Sequence, residues 1–172
     1  YSKQKLDLEN YITKHTKNYL ILRLTKIIGL TDNKKDPINY FLNDLNKRQK
    51  LKLADDQITN YLYVDDLNKI LEESITKNIC GVFNVGGSKS TSRYHFFRDF
   101  LNKFQPSDIK KIKKCKINEI NFYEKQPKNT SVQLAKLRKF FTTRTRSYKE
   151  FNKILVSKLN INQNVLVIGC GF

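Results

Sequence analysis

The chain has 172 residues, 39% hydrophobic and 12% aromatic, enough to bury one ordinary core and too apolar for a disordered segment. Its 33 Lys and Arg against 16 Asp and Glu leave a formal charge of +17, but the lysines are spread evenly among abundant Asn and Ile and only 110–116, KKIKKCK, is concentrated. A nucleic-acid module is therefore not expected, because a short basic run is usually a solvated face, and no run approaches the roughly 18 apolar residues of a membrane span.

Cys80, Cys115 and Cys170 lie far apart, with no CxxC pair and no His cluster, so neither a disulfide framework nor a metal site is expected and a reducing cytoplasm fits. The opening YSKQKLDLEN has no apolar signal core. The chain starts at Tyr and contains no Met, which reads as a piece of a longer protein.

In chain order, residues 1–17 read as a helix, with Leu6, Leu8, Tyr11 and Ile12 near helical spacing. NYLILRLTKIIGL at 18–30 suits a strand buried on both faces of a parallel sheet. After the turn-rich 31–37, a helix is expected over 38–47 on Phe41, Leu42 and Leu45, then strands at 51–53 and 58–63. Asp65 and Asp66 supply the start of a helix over 66–77, a cap being a simpler reading of adjacent carboxylates than a metal pair. GVFNVGG at 81–87 reads as a strand ended by glycines, and Ser90 to Ser92 offer caps for a helix at 93–104 with a Phe96, Phe97, Phe100, Leu101, Phe104 stripe. A strand at 116–124 and closing helices at 132–140 and 147–159 complete the series. His15 reads as a surface residue and His95, beside phenylalanines, as semi-buried; neither has a catalytic partner pattern.

Tyr1 and Lys5 have the YxxxK spacing, which places both on one helical face, one turn apart. A neighbouring ammonium favours the phenolate, so such a tyrosine can exchange a proton at a carbonyl or alcohol oxygen near neutral pH. In a lysine-rich chain this spacing also arises by chance, and a solvated helix face is the plain alternative. The surrounding patterns supply context: YLILRLTKIIG, NYLYVDDLNKIL at 60–71, GVFNVGGSKSTSRYHFF at 81–97 and QPKNTSVQLAKLRKFF at 126–141. In this order they resemble the second half of extended short-chain dehydrogenases/reductases. SRYHFF and QPKNTSVQLAKLRKFF bring the likeness nearest to dTDP-4-dehydrorhamnose reductase-like sugar-nucleotide reductases.

The resemblance covers about 1–158 and implies an α/β fold: the C-terminal part of a Rossmann-type doubly wound sheet plus a small mixed α/β lobe for the substrate. It implies that NADPH or NADH, bound mainly by an upstream half, delivers hydride to the C4 ketone of a nucleotide-linked sugar of dTDP-rhamnose biosynthesis. Tyr1 would be the proton donor, Lys5 its pKa-lowering and ribose-binding partner, and Leu24, Thr25 and Lys26 a wall of the cofactor site. Arg93, Lys128 and Asn129 would lie on the sugar-nucleotide side. Gln126 stands where the family's late signature usually has Arg, which loosens the assignment of substrate. A nucleotide-sugar epimerase or dehydratase, or a non-catalytic sugar-nucleotide-binding subunit of the same fold, are the alternatives. The expected partners are the nucleotide sugar, a second copy in a homodimer and covalently linked domains, with no nucleic acid and no membrane. This piece alone is expected to be inactive.

Residues 159–163 read as a linker and NVLVIGCGF at 164–172 as a strand entering a Gly-x-Gly turn, the start of a second nucleotide-binding domain. A dehydrogenase, an epimerase or an S-adenosylmethionine-dependent methyltransferase would all begin so, and an edge strand with a loop is the plainer reading.

Overall fold

The computed structural model describes residues 2–29, 36–47, 50–122, 124 and 126–169, without the side chains of Ser2 and 160–169. Helix α1 (Ser2–His15) leads into β1 (Leu20–Leu24) and β2 (Ile27–Ile28), then α2 (Pro37–Lys47), β3 (Leu51–Ala54), β4 (Ile58–Thr59) and β5 (Leu62–Tyr63). Next come α3 (Val64–Thr76), β6 (Gly81–Val85), β7 (Thr91–Ser92), α4 (Arg93–Phe104), β8 (Ile112–Cys115), α5 (Ala135–Phe140) and α6 (Tyr148–Gly169).

The expected strand at 18–30 is broken in two because the chain changes partner. β1 pairs in parallel with β6, and β2 in parallel with β5. Between them Thr25 donates its N–H to the Val85 carbonyl at 3.0 Å, while the Lys26 carbonyl accepts from Leu62 at 3.0 Å. The segment 58–63 divides in the same way: β4 pairs antiparallel with β7, then β5 turns to β2. β1 is not buried on both faces as expected. Leu24 is 42% exposed, and among the described residues β1 has β6 as its one neighbour strand. The apolar residues of α1 are open too, with Leu6 at 53%, Leu8 at 54% and Tyr11 at 62%.

Two cores result. In the first, Ile38, Phe41 and Leu45 of α2, Phe96, Phe97, Phe100 and Leu101 of α4 and Phe151 and Leu155 of α6 close over Leu53 of β3. The aromatic stripe of α4 is thus core, with Phe41 stacked on Phe97 at a 3.9 Å centroid distance. The second gathers Leu62, Leu67, Ile70, Phe83 and Val85 under Leu134, Leu137 and Phe141. Tyr61 and Tyr63 enter the first core and Leu62 the second, since successive side chains of an extended segment point to opposite faces.

Local signals account for the starts of three helices. Ser92 caps α4 by accepting the His95 N–H at 3.1 Å, and Asp36 accepts that of Ile38 at 2.9 Å before α2. Ser147 and Glu150 form a reciprocal box at the start of α6. α3 starts two residues earlier than expected, at Val64, so Asp65 and Asp66 occupy its first turn rather than cap it. His95 is exposed, not semi-buried, because the buried stripe of α4 runs through Phe96, Phe97 and Phe100 and leaves position 95 outward.

The strand expected at 116–124 lies earlier, at β8, inside the basic run. β3 sets this register: Leu51 faces Ile112 and Ala54 faces Cys115, and the ladder ends with Asp55 donating to the Cys115 carbonyl at 3.0 Å. Lys114 and Lys116 then straddle Asp55 at 2.9 and 3.0 Å, and Lys111 meets Asp108 at 3.0 Å, so much of the basic run is neutralised locally. The expected helix at 132–140 shortens to α5, Ala135–Phe140. At the far end α6 continues through Gly169, across the residues read as a linker and a strand, while 170–172 of the Gly-x-Gly turn lie outside the described residues. No Gly or Pro interrupts 148–168, and among the described residues no strand pairs with 164–167, so backbone groups are satisfied within the helix.

Candidate functional site

The break at Thr25 and Lys26 puts Lys26 beside the first core, where it lines a cleft of about 340 Å³ with Ile28, Tyr40, Tyr61, Arg93 and Phe96. Arg93 is delivered by the first turn of α4, and its N–H donates to the Gln57 carbonyl at 3.0 Å. Tyr61 is nearly fully buried and stacked on Phe96 at a 4.1 Å centroid distance. Burial pushes its phenol up to about 12, an effect that the charge of Arg93 partly opposes. Lys26 reaches the surface, yet protein crowded around its amine and, secondarily, the charge of Arg93 lower its pKa.

Two cations without a carboxylate among the described lining residues make this cleft electropositive, and Tyr61 and Phe96 make one wall aromatic. Such a site suits an anion carrying a ring or sugar: the cations meet phosphate oxygens and the flat wall meets the apolar faces.

Lys26 and Arg93, read on opposite sides of the site, therefore share one cleft. Lys128 and Asn129 are tied to the same neighbourhood through β4: Ile58 donates to the Lys128 carbonyl at 2.7 Å, and Thr130 donates back to the Ile58 carbonyl at 2.9 Å. The Lys128 amine lies 3.7 Å from Asp56 and is largely solvated, while Asn129 accepts the N–H and hydroxyl of Ser131 at 2.9 and 2.7 Å. Leu24 stands exposed at the carboxyl end of β1, the end at which open α/β sheets place their ligands. Thr25 is occupied structurally, its hydroxyl donating to the Asn60 carbonyl.

Tyr1 lies outside the described residues. Lys5 is exposed on α1, one turn before Glu9, and Glu9 accepts three hydrogen bonds of 2.5–3.1 Å from Arg23 of β1. That ion pair lowers the Glu9 pKa and raises that of Arg23, and it locks the helix that carries Lys5 to the strand that carries Leu24.

For a nicotinamide cofactor, the residues present fit one wall and no more. Gly86 and Gly87 form no phosphate cradle: a Cβ on Gly87 would stand 2.2 Å from the Tyr61 carbonyl oxygen, so protein already fills that approach. Among the described residues no three of His, Cys, Asp or Glu gather as metal ligands, and no helix is long and apolar enough to cross a membrane.

Sequence reading missed Tyr61 and Tyr40 as lining residues. The alternation through Asn60, Tyr61, Leu62 and Tyr63 carried a signal for the first, but assigning its face needs the two cores.

The RmlD substrate binding domain family matches residues 1–161. No curated protein matches the chain in sequence. A dTDP-4-dehydrorhamnose reductase ortholog from Clostridium acetobutylicum superposes with a TM-score of 0.78 at 24% identity, covering 95% of this chain and 55% of that one. The dTDP-4-dehydrorhamnose reductase of Bacillus anthracis, solved with NADP, gives 0.72 at 20% identity over 84% of this chain and 50% of that one. The UDP-glucuronic acid 4-epimerase of Bacillus cereus, solved with NAD, gives 0.60 at 16% over 84% and 44%. The chain thus spans about half the length of these solved structures, and at these identities the likeness concerns the Rossmann-like α/β fold. With the family match extending over 161 of its 172 residues, the chain belongs to the RmlD substrate binding domain family.

Proposed function

We propose that this chain is the sugar-nucleotide-binding part of a longer NAD(P)-dependent reductase acting on a nucleotide-linked 4-keto sugar. The observation that carries the reading is the cleft in which Lys26 and Arg93 stand beside Tyr61 and Phe96. There the two cations hold the diphosphate while the aromatic wall seats the sugar or base. Family membership and the reductase-like fold support it.

The nicotinamide cofactor, when bound, supplies the hydride. Tyr1 gives a proton to the C4 oxygen as charge develops there, and Lys5 favours the phenolate that results. The Glu9–Arg23 ion pair keeps α1 in place against β1, and Leu24 and Thr25 form the wall that excludes water from one side. We place the full-length protein in the cytoplasm, as a homodimer with further domains linked to this one; Cys80 and Cys115 are free thiols.

The test is NADPH oxidation by the full-length protein with a dTDP-4-keto-6-deoxy sugar, beside Tyr1→Phe and Arg93→Gln. Tyr1→Phe should lower kcat by about a hundredfold or more, and Arg93→Gln should act mainly on KM. Absence of turnover in the native protein would move the reading to an epimerase, a dehydratase or a binding subunit.

A further inference from the structure

The second core carries a cleft of its own. Two adjoining cavities of about 700 and 470 Å³ share Ser88, Leu134 and Arg138 and lie between α5, the 142–147 segment and the turn after β6. It shares no lining residue with the Lys26–Arg93 cleft: Asn60 faces it, whereas the next residue, Tyr61, faces the other. Leu134, Leu137 and Phe141 give it an apolar floor, and Arg138 and Arg144 stand on its sides.

The 142–147 wall is irregular but fixed. Glu73 accepts the N–H groups of Thr142 and Thr143 at 2.7 and 2.8 Å, and Asp66 accepts that of Arg146 at 2.7 Å. The Arg146 carbonyl accepts from Ser88 at 3.1 Å, and Glu150 accepts the Ser147 hydroxyl at 2.6 Å. Three carboxylates are thus engaged by backbone or hydroxyl groups of this wall. Between these anchors Arg144 is left over, as is Arg138 across the cleft, and neither has an ion-pair partner among the described residues.

A rigid wall requires little further ordering when a ligand binds, the larger cavity, which holds both arginines and the apolar floor, has about 700 Å³, within the roughly 300–1,000 Å³ of small-molecule sites, and two unpaired guanidiniums match the oxygens of a phosphate. We propose that this cleft is a second ligand site, taking a small organic phosphate: its phosphate lies between Arg138 and Arg144, and its ring sits on Leu134, Leu137 and Phe141.

AMP is the probe and isothermal titration calorimetry the measurement, on the full-length protein held in saturating NADPH and dTDP so that other nucleotide sites are filled. One saturable AMP site is expected, with adenosine weaker by roughly tenfold or more because it lacks the phosphate. Arg138→Gln with Arg144→Gln should weaken AMP by roughly tenfold or more, whereas Arg93→Gln leaves it unchanged. Arg144→Glu, at an exposed position, gives the same reading should the double variant lose its thermal transition. No AMP binding, equal binding of adenosine, or an undiminished affinity in the Arg138 and Arg144 variants would overturn the proposal. The Arg93→Gln arm reports separately on the cleft proposed for the sugar nucleotide.

Discussion

Glu9 of α1 and Arg23 of β1, fourteen residues apart, meet through a forked ion pair in which the guanidinium donates from both Nε and Nη2. Because Arg23 is about half exposed, the pair should contribute no more than about 1 kcal/mol to global stability. Its effect is on position: it joins α1, the helix that carries Lys5, to β1. Glu9→Gln should therefore lower kcat of the full-length protein while shifting the urea midpoint little, and the swap Glu9→Arg with Arg23→Glu should recover part of the activity. Unchanged turnover in Glu9→Gln would remove the ion pair from the site.

Asp66 is 2% exposed and serves the 142–147 wall, accepting the Arg146 N–H at 2.7 Å and facing its guanidinium at 3.4 Å. Removing the carboxylate strands a partly buried donor and a cation. Asp66→Ala should cost about 2–4 kcal/mol in chemical denaturation. Neighbouring Asp65→Ala, which leaves that contact intact, should cost much less.

Two glycines should respond differently to an added methyl. At Gly87 a Cβ would fall 2.2 Å from the Tyr61 carbonyl, a backbone atom that cannot rotate away; at Gly29 it would meet the Val64 Cγ1 at 2.9 Å, a side-chain atom with some freedom. Gly87→Ala should lower Tm clearly more than Gly29→Ala, by several degrees in a domain of this size. Equal shifts would mean that the chain around Tyr61 gives way.

Tyr61 predicts a pH dependence. Its phenol is raised from 10.0 to about 12 by burial, so the folded state keeps the proton where the unfolded state has lost it. The associated stability is fully present below pH 10 and is lost as pH rises through about 12, at most roughly 2–3 kcal/mol. Tyr61→Phe should flatten this part of the stability curve relative to the native chain. An identical alkaline slope in both would assign the loss to other groups.

Much of the architecture was legible from local pattern. The apolar spacing of Phe41 and Leu45 gave α2, the Phe96 to Leu101 stripe with its Ser92 cap gave α4, and VFNV gave β6, because each such element buries a face that its own period dictates. The family likeness, carried by short ordered motifs, was legible in the same way; of the Lys26–Arg93 cleft the sequence singled out only its two cations, and on opposite sides of a site, while Tyr40 and Tyr61 were not singled out.

What tertiary structure decided was pairing. An apolar run cannot state which strand it will join, so the breaks at Thr25–Lys26 and Asn60–Tyr61 follow from partners distant in sequence, and the shift of β8 into the lysine run follows from where β3 ends. The same holds for the two clefts. Lys26 and Arg93 meet only once β2, β5 and α4 share a core, and Arg138 and Arg144 stand unpaired only once Asp66, Glu73 and Glu150 have been taken by the backbone and hydroxyl groups of the 142–147 wall. Residue type and spacing select an element and its buried face; long-range hydrogen bonding and the placement of charge select the register, and with it the site.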